Sequence, residues 1–500
     1  MASYLLGLDA GNTVTKAVLF DTTGRQVGFH ALDGTTHKPS PGMVERSLPE
    51  LWDNAKVTIR HCLIGAGVNS SDIRAVGCAG HGNGLYLLDK SGVPLLGIQS
   101  LDVRASGLTE ELDAAHGSAI HRINLQRPWP AQTPVLLAWL KRHRPDTYAK
   151  AGTLLYAKDV LTWQLTGRRS TEISDMTGAG LMRLPEGRYD TELLALYGLE
   201  DALHLLPPAI EPSAIAGYVT KEAAAATGLA AGTPVIGGYF DVVSSALGSG
   251  AVRQGEASIV VGSWSINQVF AKTAVVDERV FMVSKFAPER FVIMENSATS
   301  AANLEWYVRE LVERGGHHDN PFGVVNAAVG DVKPALDDPF FHPFLYGGRM
   351  GSHQRGGFYG LAGWHGEKHL LRALFEGVMF EHRRHVEVLA EAGVNFDRVA
   401  LSGGGSRSPH WPQMFADGLG KQVTIAEARE TGALGAAIGA SIAVGIYDDY
   451  ETAVAAMSRP SASFTPNSTM QALYDCRYAL WTRITQAMDP IWRDVAKQQP

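Results

Sequence analysis

The residues of this chain that best fit a chemical role lie in one turn near its start. The apolar run Leu5–Leu8 leads to Asp9, a short polar turn follows, and a second apolar run begins at Ala17. This pattern predicts a β-hairpin. In its turn, Gly11 lets the backbone approach an anion, and hydroxyls, amides and a lysine surround it. The predicted phosphate-binding residues are Gly11, Asn12, Thr13 and Lys16.

Asp9 ends the first strand and adds a carboxylate beside that turn. Carboxylate oxygens are ligands that Mg²⁺ prefers, so Asp9 is placed to reach a magnesium ion that also binds phosphates. The turn and the acid together indicate phosphoryl transfer from ATP. A plain β-turn is the alternative, because glycine next to asparagine is also common in the hairpins of ordinary sheets.

Composition narrows the class of protein. The chain has 500 residues, of which 45% are hydrophobic and 19% charged, and its formal net charge is -7. This length predicts at least two domains, and the charge argues against a nucleic-acid or anionic-lipid partner. Three widely separated cysteines argue against a disulfide framework or a zinc site of the C-x-x-C type. Since no long apolar segment or signal-like leader is evident, we expect a cytoplasmic protein with no membrane partner.

The pattern of apolar residues predicts an α/β first half. Strand-like runs such as Ala75–Ala79 alternate with helical patterns such as Leu48–Gly65. A glycine-rich segment follows, after which a strand, a glycine turn and hydroxyls recur at Ala257–Ser265. We therefore predict two related domains, over residues 1–248 and 249–500, each opening with a hairpin that can contact phosphate.

Two further strand ends carry candidate residues. The buried strand around Val235 ends in a glycine turn and Asp241, before a predicted helix. Asp241 is either a catalytic base or a helix N-cap, since acids commonly occupy that position. Another strand ends in Gly403–Gly405 and Ser408, before a helix predicted from Pro409 to Leu419. A helix N-terminus that follows glycines suits the phosphate end of a nucleotide.

In this order, the motifs resemble those of the FGGY family of carbohydrate kinases over roughly residues 4–445. The hairpin of Asp9, the strand end at Asp241 and the triple glycine resemble family motifs. The run Gly356–Leu361, followed by His369–Glu376, fits the family's C-terminal signature. The resemblance implies a two-domain α/β fold of the actin-like (ribonuclease H-like) sugar kinase type, with a mixed sheet in each domain and an active site in the cleft between them.

The resemblance also implies roles for particular residues. ATP and Mg²⁺ are expected to bind, with Asp9 and Asp241 as the metal-binding acids. Asp241 is expected to take the proton of the attacking sugar hydroxyl, an effect worth ~10² to 10⁴ in rate. Because dimers are common in this family, a homodimer is an expected assembly. The expected nucleotide-binding residues of the second domain are Gly262, Ser263, Gly403, Gly404, Gly405 and Ser408.

The acceptor sugar is expected to contact the first domain. Glycerol kinases carry an Arg-Glu pair there that is absent here, and the Gln-Met-His-Gly usual in D-xylulose kinases is replaced by the four residues from His81 to Gly84. Through Gly238–Leu247 and Ser297–Trp306 the chain resembles the L-xylulose kinase branch more closely. The expected sugar-binding residues are His81, Asn83, Asp102, Arg104, Asp241 and Trp264.

We therefore expect ATP-dependent phosphorylation of a terminal hydroxyl of a ketopentose, with L-xylulose as the first candidate. The alternatives are a kinase for D-xylulose, L-ribulose or erythritol, and a non-catalytic sensor of a sugar or nucleotide. Two of the sugar-binding residues have plainer interpretations, since His81 could be a turn residue bonded to the backbone and Trp264 could pack in the core. Lys158 and Asp159 open a predicted helix, and we expect their role to be structural.

Overall fold

The computed structural model describes residues 3–316 and 318–498 of the chain. Its strands, in chain order, are β1 Tyr4–Ala10, β2 Val14–Asp21, β3 Gln26–Asp33, β4 Ile73–Gly80, β5 Leu85–Asp89, β6 Pro94–Ile98, β7 Ala151–Leu155, β8 Thr171–Glu172, β9 Met182–Arg183, β10 Arg188–Tyr189, β11 Ala209–Ile210, β12 Ile215–Tyr218, β13 Pro234–Ile236, β14 Tyr239–Phe240, β15 Glu256–Val261, β16 Ser265–Ala271, β17 Met282–Ala287, β18 Arg290–Ser297, β19 Phe340–His342, β20 Gly357–Tyr359, β21 Arg398–Ser402, β22 Gln422–Ala426 and β23 Pro460–Phe464.

The helices alternate with these strands, as the sequence predicted for an α/β protein. They are α1 Leu48–Ala66, α2 Ser106–Asn124, α3 Thr133–His143, α4 Pro145–Lys150, α5 Ala157–Thr166, α6 Ile173–Gly178, α7 Thr191–Leu196, α8 Lys221–Thr227, α9 Asp241–Gly248, α10 Ala302–Tyr307, α11 Pro321–Gly330, α12 Glu367–Glu391, α13 Trp411–Leu419, α14 Thr431–Ala443, α15 Tyr450–Met457 and α16 Ser468–Lys497. Short 3-10 turns lie at Ser70–Asp72, Ala202–Leu205, Glu313–Gly315 and Gly404–Arg407, and a π-helical segment at Val308–Val312.

The chain forms two compact units, and each is discontinuous in sequence. Unit 1 comprises the residues up to Gln254 together with Phe270–Ile293 and Glu427–Arg459. Unit 2 comprises Gly255–Val269, Met294–Ala426 and the residues from Pro460 onward. The boundary between residues 248 and 249 concerns the two predicted family domains and stays a prediction.

The main sheet of unit 1 has the strand order β12-β13-β4-β1-β2-β3, and β14 also pairs with β4. The predicted hairpin is confirmed, because β1 and β2 are antiparallel with Asp9 opposite Lys16. Both β1 and β14 run parallel to β4. Three parallel strands therefore end at one edge of the sheet, which is where α/β proteins place their ligand sites.

Helix α14 packs on this sheet through small residues. A Cβ atom built at Gly7 of β1 would overlap the carbonyl oxygen of Ala433, and one built at Gly77 of β4 would overlap that of Ala436. The backbones of helix and sheet are therefore in direct contact, and neither position has room for a methyl group. Since α14 follows Glu430 in sequence, a late part of the chain covers the first strands of unit 1.

Unit 1 also contains two separate clusters of buried apolar side chains. One lies between the main sheet and helices α1 and α5, and includes Leu8, Ile59 and Leu161. The other surrounds the small sheet of order β6-β5-β7 and includes Leu87 and Leu137. Burial of such side chains is the main stabilising contribution to both layers.

Unit 2 repeats the strand pattern that begins unit 1. Strands β15 and β16 form an antiparallel hairpin, and β15 runs parallel to β21. The sheet continues through β22 to β23 at its edge. A strand, a glycine turn and hydroxyl residues recur here, as the sequence predicted, and the two mixed sheets agree with the predicted fold class.

Two features near the C-terminus differ from the sequence pattern. The Pro, Ser and Thr-rich tail from Ser458 to Pro466 reads as a loop, yet Pro460–Phe464 forms a strand because it pairs antiparallel with β22. The sequence pattern of the C-terminal residues predicts a helix over Met470–Met488, whereas the helix extends over Ser468–Lys497 and includes Pro490. Within residues 3–316 and 318–498, no helix is long and apolar enough to cross a bilayer.

Candidate active site

Two acids lie at the same edge of the main sheet of unit 1. Asp9 of β1 pairs in register with Ala79 of β4, and Tyr239 of β14 pairs with the same residue from the other side. Neighbouring strands lie about 4.8 Å apart, so only the width of β4 separates the two outer backbones. Asp241 directly follows β14 as the first residue of α9, and Phe240 occupies the N-cap position. The structure thus brings the two predicted metal-binding acids to one place.

Charge and burial act together on this acid pair. Burial raises the pKa of Asp241 to about 8, the nearby charge of Asp9 raises it as well, and a backbone hydrogen bond involving Val242 opposes them. Burial also raises the pKa of Asp9 to about 6, with Lys16 acting to lower it and Glu430 to raise it. Because Asp241 titrates near neutral pH, it can both accept and release a proton there.

The start of α14 supplies residues next to Asp9. Glu430 pairs with Lys16 at 2.7 Å, and both side chains are largely buried. A Cβ atom built at Gly432 would lie 2.8 Å from Oδ2 of Asp9. A glycine is therefore required for this carboxylate to keep its position. Glu430 and Gly432 belong to unit 1, although they lie more than 400 residues after Asp9 in the sequence.

The predicted phosphate-binding turn is held in place from one side. Arg46, which is 2% exposed, donates from Nη1 to the carbonyl oxygen of Gly11 and from Nη2 to Oγ1 of Thr15, at 2.9 Å in each case. The amide of Gln99 donates to the carbonyl oxygen of Asn12 at 2.5 Å. Thr13 is exposed at the tip of the turn. The carbonyl groups are thus occupied by the protein.

The same turn is connected to the segment expected to contact the sugar. Nδ2 of Asn12 donates to Oγ of Ser100 at 3.0 Å. Two residues on, Asp102 accepts from the backbone N–H of Val44 at 2.6 Å and from the guanidinium of Arg104 through both carboxylate oxygens. The side chains of Asp102 and Arg104 are fully buried. Their bonds to each other favour a positioning role, and direct contact with sugar stays a prediction for both.

His81 and Asn83 lie buried in the loop after β4. Nε2 of His81 is 2.9 Å from the hydroxyl of Tyr86, and burial lowers the pKa of His81 to about 3, so its ring is neutral at physiological pH. Asn83 has a left-handed backbone with φ of 59°, and its Oδ1 atom is buried without a hydrogen-bond partner. An unpaired buried acceptor is costly, which favours a donor supplied by a ligand.

A buried ion cluster lies beside the Asp241 strand end. Nζ of Lys158 is 2.7 Å from Asp159 and 3.2 Å from both Glu172 and Asp175. All four side chains are almost fully buried. Burial raises the pKa of Glu172 and Asp175, and the neighbouring carboxylates add to that rise while Lys158 opposes it. This extensive pairing fits the structural role predicted for Lys158 and Asp159.

The cluster also touches the backbone that carries Asp241. Oγ of Ser174, in the helix of the cluster, accepts from the backbone N–H of Phe240 at 3.1 Å. A Cβ atom at Gly82 would lie 2.6 Å from both Oδ1 of Asp175 and the ring of Phe240. The ion cluster therefore supports both the strand end before Asp241 and the loop that carries His81.

The acid pair fits a magnesium ion by the chemistry of its donors. Mg²⁺ is usually held by one or two carboxylates together with waters and substrate phosphates. Asp9 and Asp241 provide two such groups, and the pKa of each is raised partly by a neighbouring carboxylate. Across the described part of the chain, no cluster of three or more His, Cys, Asp or Glu side chains could hold a metal by itself. The pair therefore suits an ion that arrives with phosphate.

In unit 2, the predicted nucleotide-binding residues also lie together. Gly262, Ser263 and Trp264 form the turn between β15 and β16. Gly403 follows the adjacent parallel strand with φ of 85°, and a Cβ atom there would lie 2.7 Å from the carbonyl oxygen of Val261. Trp264 is partly buried in this turn. Its predicted contact with sugar stays a prediction.

The segment after the triple glycine is shaped differently from its prediction. Gly404 and Gly405 begin a 3-10 turn, and α13 starts at Trp411 instead of Pro409. Ser408 lies in sequence between this 3-10 turn and α13, and its Oγ donates to Oδ1 of Asn326 at 2.7 Å. The predicted strand, glycine turn and helix are present, with a tighter turn between them.

Comparisons with known proteins identify the class. Residues 4–248 match the N-terminal domain, and residues 257–444 the C-terminal domain, of the FGGY family of carbohydrate kinases. The architecture and these matches define an ATP-dependent phosphotransferase that acts on a carbohydrate. The chain belongs to the FGGY family of carbohydrate kinases, which confirms the resemblance predicted from the motifs.

Individual relatives span almost the whole chain. An L-xylulose/3-keto-L-gulonate kinase of Escherichia coli (strain K12) is 34% identical over 98% of this chain and 98% of its own length. A probable L-xylulose kinase of Pasteurella multocida is also 34% identical, over 97% and 99%. Among solved structures, a xylulose kinase from Rhodospirillum rubrum is 28% identical with a TM-score of 0.88, over 98% of this chain and 100% of that one. These similarities confirm the predicted fold.

Several residues of the site were missed by sequence reasoning. Arg46 and Gln99 lie in polar loops without a motif, and nothing in their spacing points to the turn that they bind. Glu430 and Gly432 lie at the start of a helix that is rich in small residues, and such a sequence predicts that a ring or another backbone can approach the helix closely. That pattern was the available signal, but it did not identify Asp9 as the group approached.

Proposed function

We propose that the protein transfers the γ-phosphoryl group of ATP to a terminal hydroxyl of a ketopentose, and that L-xylulose is its preferred acceptor. The observation that carries this proposal is the Asp241 carboxylate, which follows a parallel strand at the sheet edge, lies near Asp9 and has a pKa raised to about 8. The full-length similarity to kinases named for L-xylulose supports the choice of acceptor.

Asp241 acts as the general base in this proposal. A sugar hydroxyl is a weak nucleophile, so a carboxylate must take its proton as the oxygen attacks phosphorus. The oxygen–phosphorus bond to the sugar forms, the bond to the β-phosphate oxygen breaks, and ADP leaves. The raised pKa of Asp241 makes it a stronger base than an exposed aspartate, which suits proton transfer near neutral pH.

Asp9 and Asp241 would hold Mg²⁺, directly or through water, which supplies positive charge to the phosphates when it is bound. Lys16 adds a cation beside Asp9. The remaining phosphate contacts are proposed for two turns, one in each unit, that have the same strand arrangement. The proposed nucleotide-binding residues are Gly11, Asn12, Thr13, Lys16, Gly262, Ser263, Gly403, Gly404, Gly405 and Ser408.

Acceptor recognition is proposed to depend on the loop after β4. The unpaired Oδ1 atom of Asn83 can accept from a sugar hydroxyl, and the neutral ring of His81 can act as donor or acceptor. Asp102 and Arg104 support this region through their mutual ion pair. A site built to bond a hydroxyl rejects a sugar that lacks it, because its own polar group is then left unpaired.

A coupled assay of ADP release over ketopentoses of both hands, tetritols and glycerol tests the acceptor. We expect the highest kcat/KM with L-xylulose. A clear preference for another sugar would overturn the acceptor but not the reaction. If no acceptor raised ADP release above the background ATPase rate, the kinase proposal itself would fail in favour of a sensor.

The base is tested with Asp241→Asn, which keeps the shape of the side chain. We expect kcat to fall by ~10² to 10⁴. The thermal unfolding midpoint should be unchanged or raised, because burial and the charge of Asp9 disfavour the ionised carboxylate that the substitution removes. Asp397→Asn is a matched control, since the Asp397 side chain is 99% exposed. Wild-type ADP release by Asp241→Asn would show that another group is the base.

Light scattering tests the homodimer that the family resemblance implies.

A further inference from the structure

A cavity of about 380 Å³ in unit 1 is lined by arginines, and neither Asp9 nor Asp241 is part of its lining. It forms where the tight turn between β2 and β3 meets the segment before α14 and the end of α15. Its volume lies within the range of roughly 300–1,000 Å³ that is typical of small-molecule sites. The side chains that matter for its chemistry are those of Arg25, Arg429, Arg459 and Glu427.

The lining carries an excess of positive charge. It contains three arginines, all exposed, and one acidic residue, Glu427. Arg25 is 3.2 Å from Asp21. Within residues 3–316 and 318–498, the side chains of Arg429 and Arg459 have no ion-pair or hydrogen-bond partner. Cations gathered around one cavity repel each other unless an anion joins them, and guanidinium groups bind phosphate oxygens in a bidentate manner.

One wall of the cavity is fixed by close packing. Gly24 has φ of +82°, and a Cβ atom there would overlap the carbonyl oxygen of Met457. The backbone N–H of Glu427 donates to the carbonyl oxygen of Arg459 at 2.8 Å. The turn and the two later segments are therefore joined through backbone contacts. The arginines extend from a scaffold that is already assembled before any ligand binds.

This cavity is separate from the site proposed for the phosphates of ATP. The phosphate-binding turn lies at one end of β2 and the cavity at the other, and β2 has 8 residues. At ~3.3 Å per residue the two ends of β2, and so the phosphate-binding turn and the Arg25 side of the cavity, are about 23 Å apart. Arg429 lies nearer to the acid pair than Arg25 does, because it directly precedes Glu430, which pairs with Lys16.

We propose that the cavity lined by Arg25, Arg429 and Arg459 is a second anion site that binds a phosphate-bearing small molecule. The shared chemistry is a phosphate dianion held by guanidinium groups. The bound phosphate group belongs either to inorganic phosphate or to a phosphorylated sugar. The inference does not depend on which acceptor the enzyme uses.

Isothermal titration calorimetry with inorganic phosphate and with ribose 5-phosphate tests the site. The test variant is Arg429→Gln combined with Arg459→Gln, which leaves the neighbouring Glu430 unchanged. The control variant, Arg74→Gln with Arg398→Gln, removes the same charge from two other exposed arginines. Titrations use protein saturated with ADP, so that the nucleotide site is occupied.

We expect the test variant to bind phosphate at least tenfold more weakly than the wild type, since hydrogen bonds between charged partners are among the strongest in proteins. The control variant should retain wild-type affinity. Tighter binding of ribose 5-phosphate than of phosphate would identify a phosphorylated sugar as the source, and equal affinity would identify free phosphate. Equal affinity of the wild type and the test variant, or equal losses in both variants, would overturn the proposal.

A second measurement needs no substitution. Phenylglyoxal modifies accessible arginines, and peptide mass spectrometry reports the rate at each position in the wild-type protein. We expect phosphate to slow modification of Arg429 and Arg459 at least fivefold and to leave Arg74 unaffected. Modification rates at Arg429 and Arg459 that do not change with phosphate would contradict an anion site, even if the double variant failed to fold.

Discussion

Arg46 and Gly11 are joined by a hydrogen bond of 2.9 Å from the guanidinium to the backbone carbonyl oxygen. Because the arginine is buried and also bonds Thr15, it fixes the turn at two points. The carbonyl groups are held by the protein, which leaves the outer side of the turn for a ligand. The shape of the proposed phosphate site thus depends on a residue outside the motif.

Replacing Arg46 by lysine should separate this role from simple packing. One ammonium group cannot reproduce both guanidinium bonds, so we expect the free energy of unfolding to fall by about 1.5–3 kcal/mol for each bond lost to a charged group. The KM for ATP should rise several-fold because the turn is less well fixed. Urea unfolding and steady-state kinetics measure the two effects.

Arg74→Lys is the matched control for this substitution, since Arg74 is exposed. It should change neither stability nor KM. Should Arg46→Lys lose stability while its KM for ATP stays at the wild-type value, Arg46 would support the fold without setting the shape of the turn.

The pH dependence of kcat/KM should show the ionisation of Asp241 and the effect of the Asp9 charge on it. A base must be ionised to accept a proton, so activity of the free enzyme is expected to rise with pH through a midpoint near 8, the value of the raised Asp241 pKa. Asp9→Asn should move that midpoint to lower pH, because the charge of Asp9 is one cause of the rise. A midpoint that Asp9→Asn leaves unchanged would argue against coupling of the two acids.

The stability of the ligand-free protein should also depend on the ionisation of Asp241, but it should fall as pH rises, whereas activity increases. The pKa of Asp241 is higher in the folded protein than its ordinary value of 3.8. Between pH 4 and pH 8, therefore, the folded state holds a proton that the unfolded state has lost, and the contribution of Asp241 to stability falls as pH rises. Asp241→Asn should flatten this fall in urea titrations at pH 5 and pH 8, whereas the Asp397→Asn control should follow the wild type.

Gly432→Ala tests the space beside Asp9. The new methyl group would lie 2.8 Å from Oδ2 of Asp9, so the carboxylate has to move. A displacement of about 1 Å at a catalytic group can reduce rate ~10²-fold, and we expect kcat to fall by about 10- to 100-fold. Circular dichroism should show an intact fold, because alanine is the better helix former.

Gly65→Ala controls for helix propensity alone. Gly65 lies in α1, and no atom lies within 4 Å of a Cβ built there. This variant should gain about 0.5–1 kcal/mol in stability and keep full activity. If Gly432→Ala also kept full activity, the position of Asp9 would not matter to the reaction.

Tyr86→Phe tests the predicted contact of His81 with sugar. It removes the hydroxyl that lies 2.9 Å from Nε2 of His81 and leaves the ring in place. One neutral hydrogen bond is worth about 0.5–1.5 kcal/mol, so the KM for sugar should rise roughly 2- to 12-fold while the KM for ATP stays constant. Tyr189→Phe, which removes a hydroxyl bond to Pro207, should affect neither. Equal changes in both KM values after Tyr86→Phe would indicate a general loss of structure.

Short-range patterns predicted much of this fold. Alternation of apolar runs and glycine turns identified both hairpins. Asp9 and Asp241 were recognised because each lies at the end of an apolar strand-like run, next to a glycine turn. The strand Pro460–Phe464 could not be predicted, since its residues favour a loop and only pairing with β22 makes them a strand.

The site was less predictable than the fold for the same reason. Asp9 and Asp241 follow apolar strands and have local signatures. Arg46, Gln99 and Glu430 act through contacts with residues 35, 87 and 414 positions away. A single sequence carries no local signal for such pairs, because the spacing that matters exists only after folding.

Because Glu427–Arg459 belongs to unit 1, part of this unit is synthesised long after its first strands. Helix α14 covers β1 and β4, yet about 200 residues separate the end of the first segment from the end of this one. At a translation rate of ~5–20 residues per second, roughly 10 to 40 s pass before α14 can pack on the nascent sheet. During that interval its apolar face is open to chaperones or to misassociation on the ribosome, and the strand that carries Asp9 reaches its final packing only after most of the chain has been made.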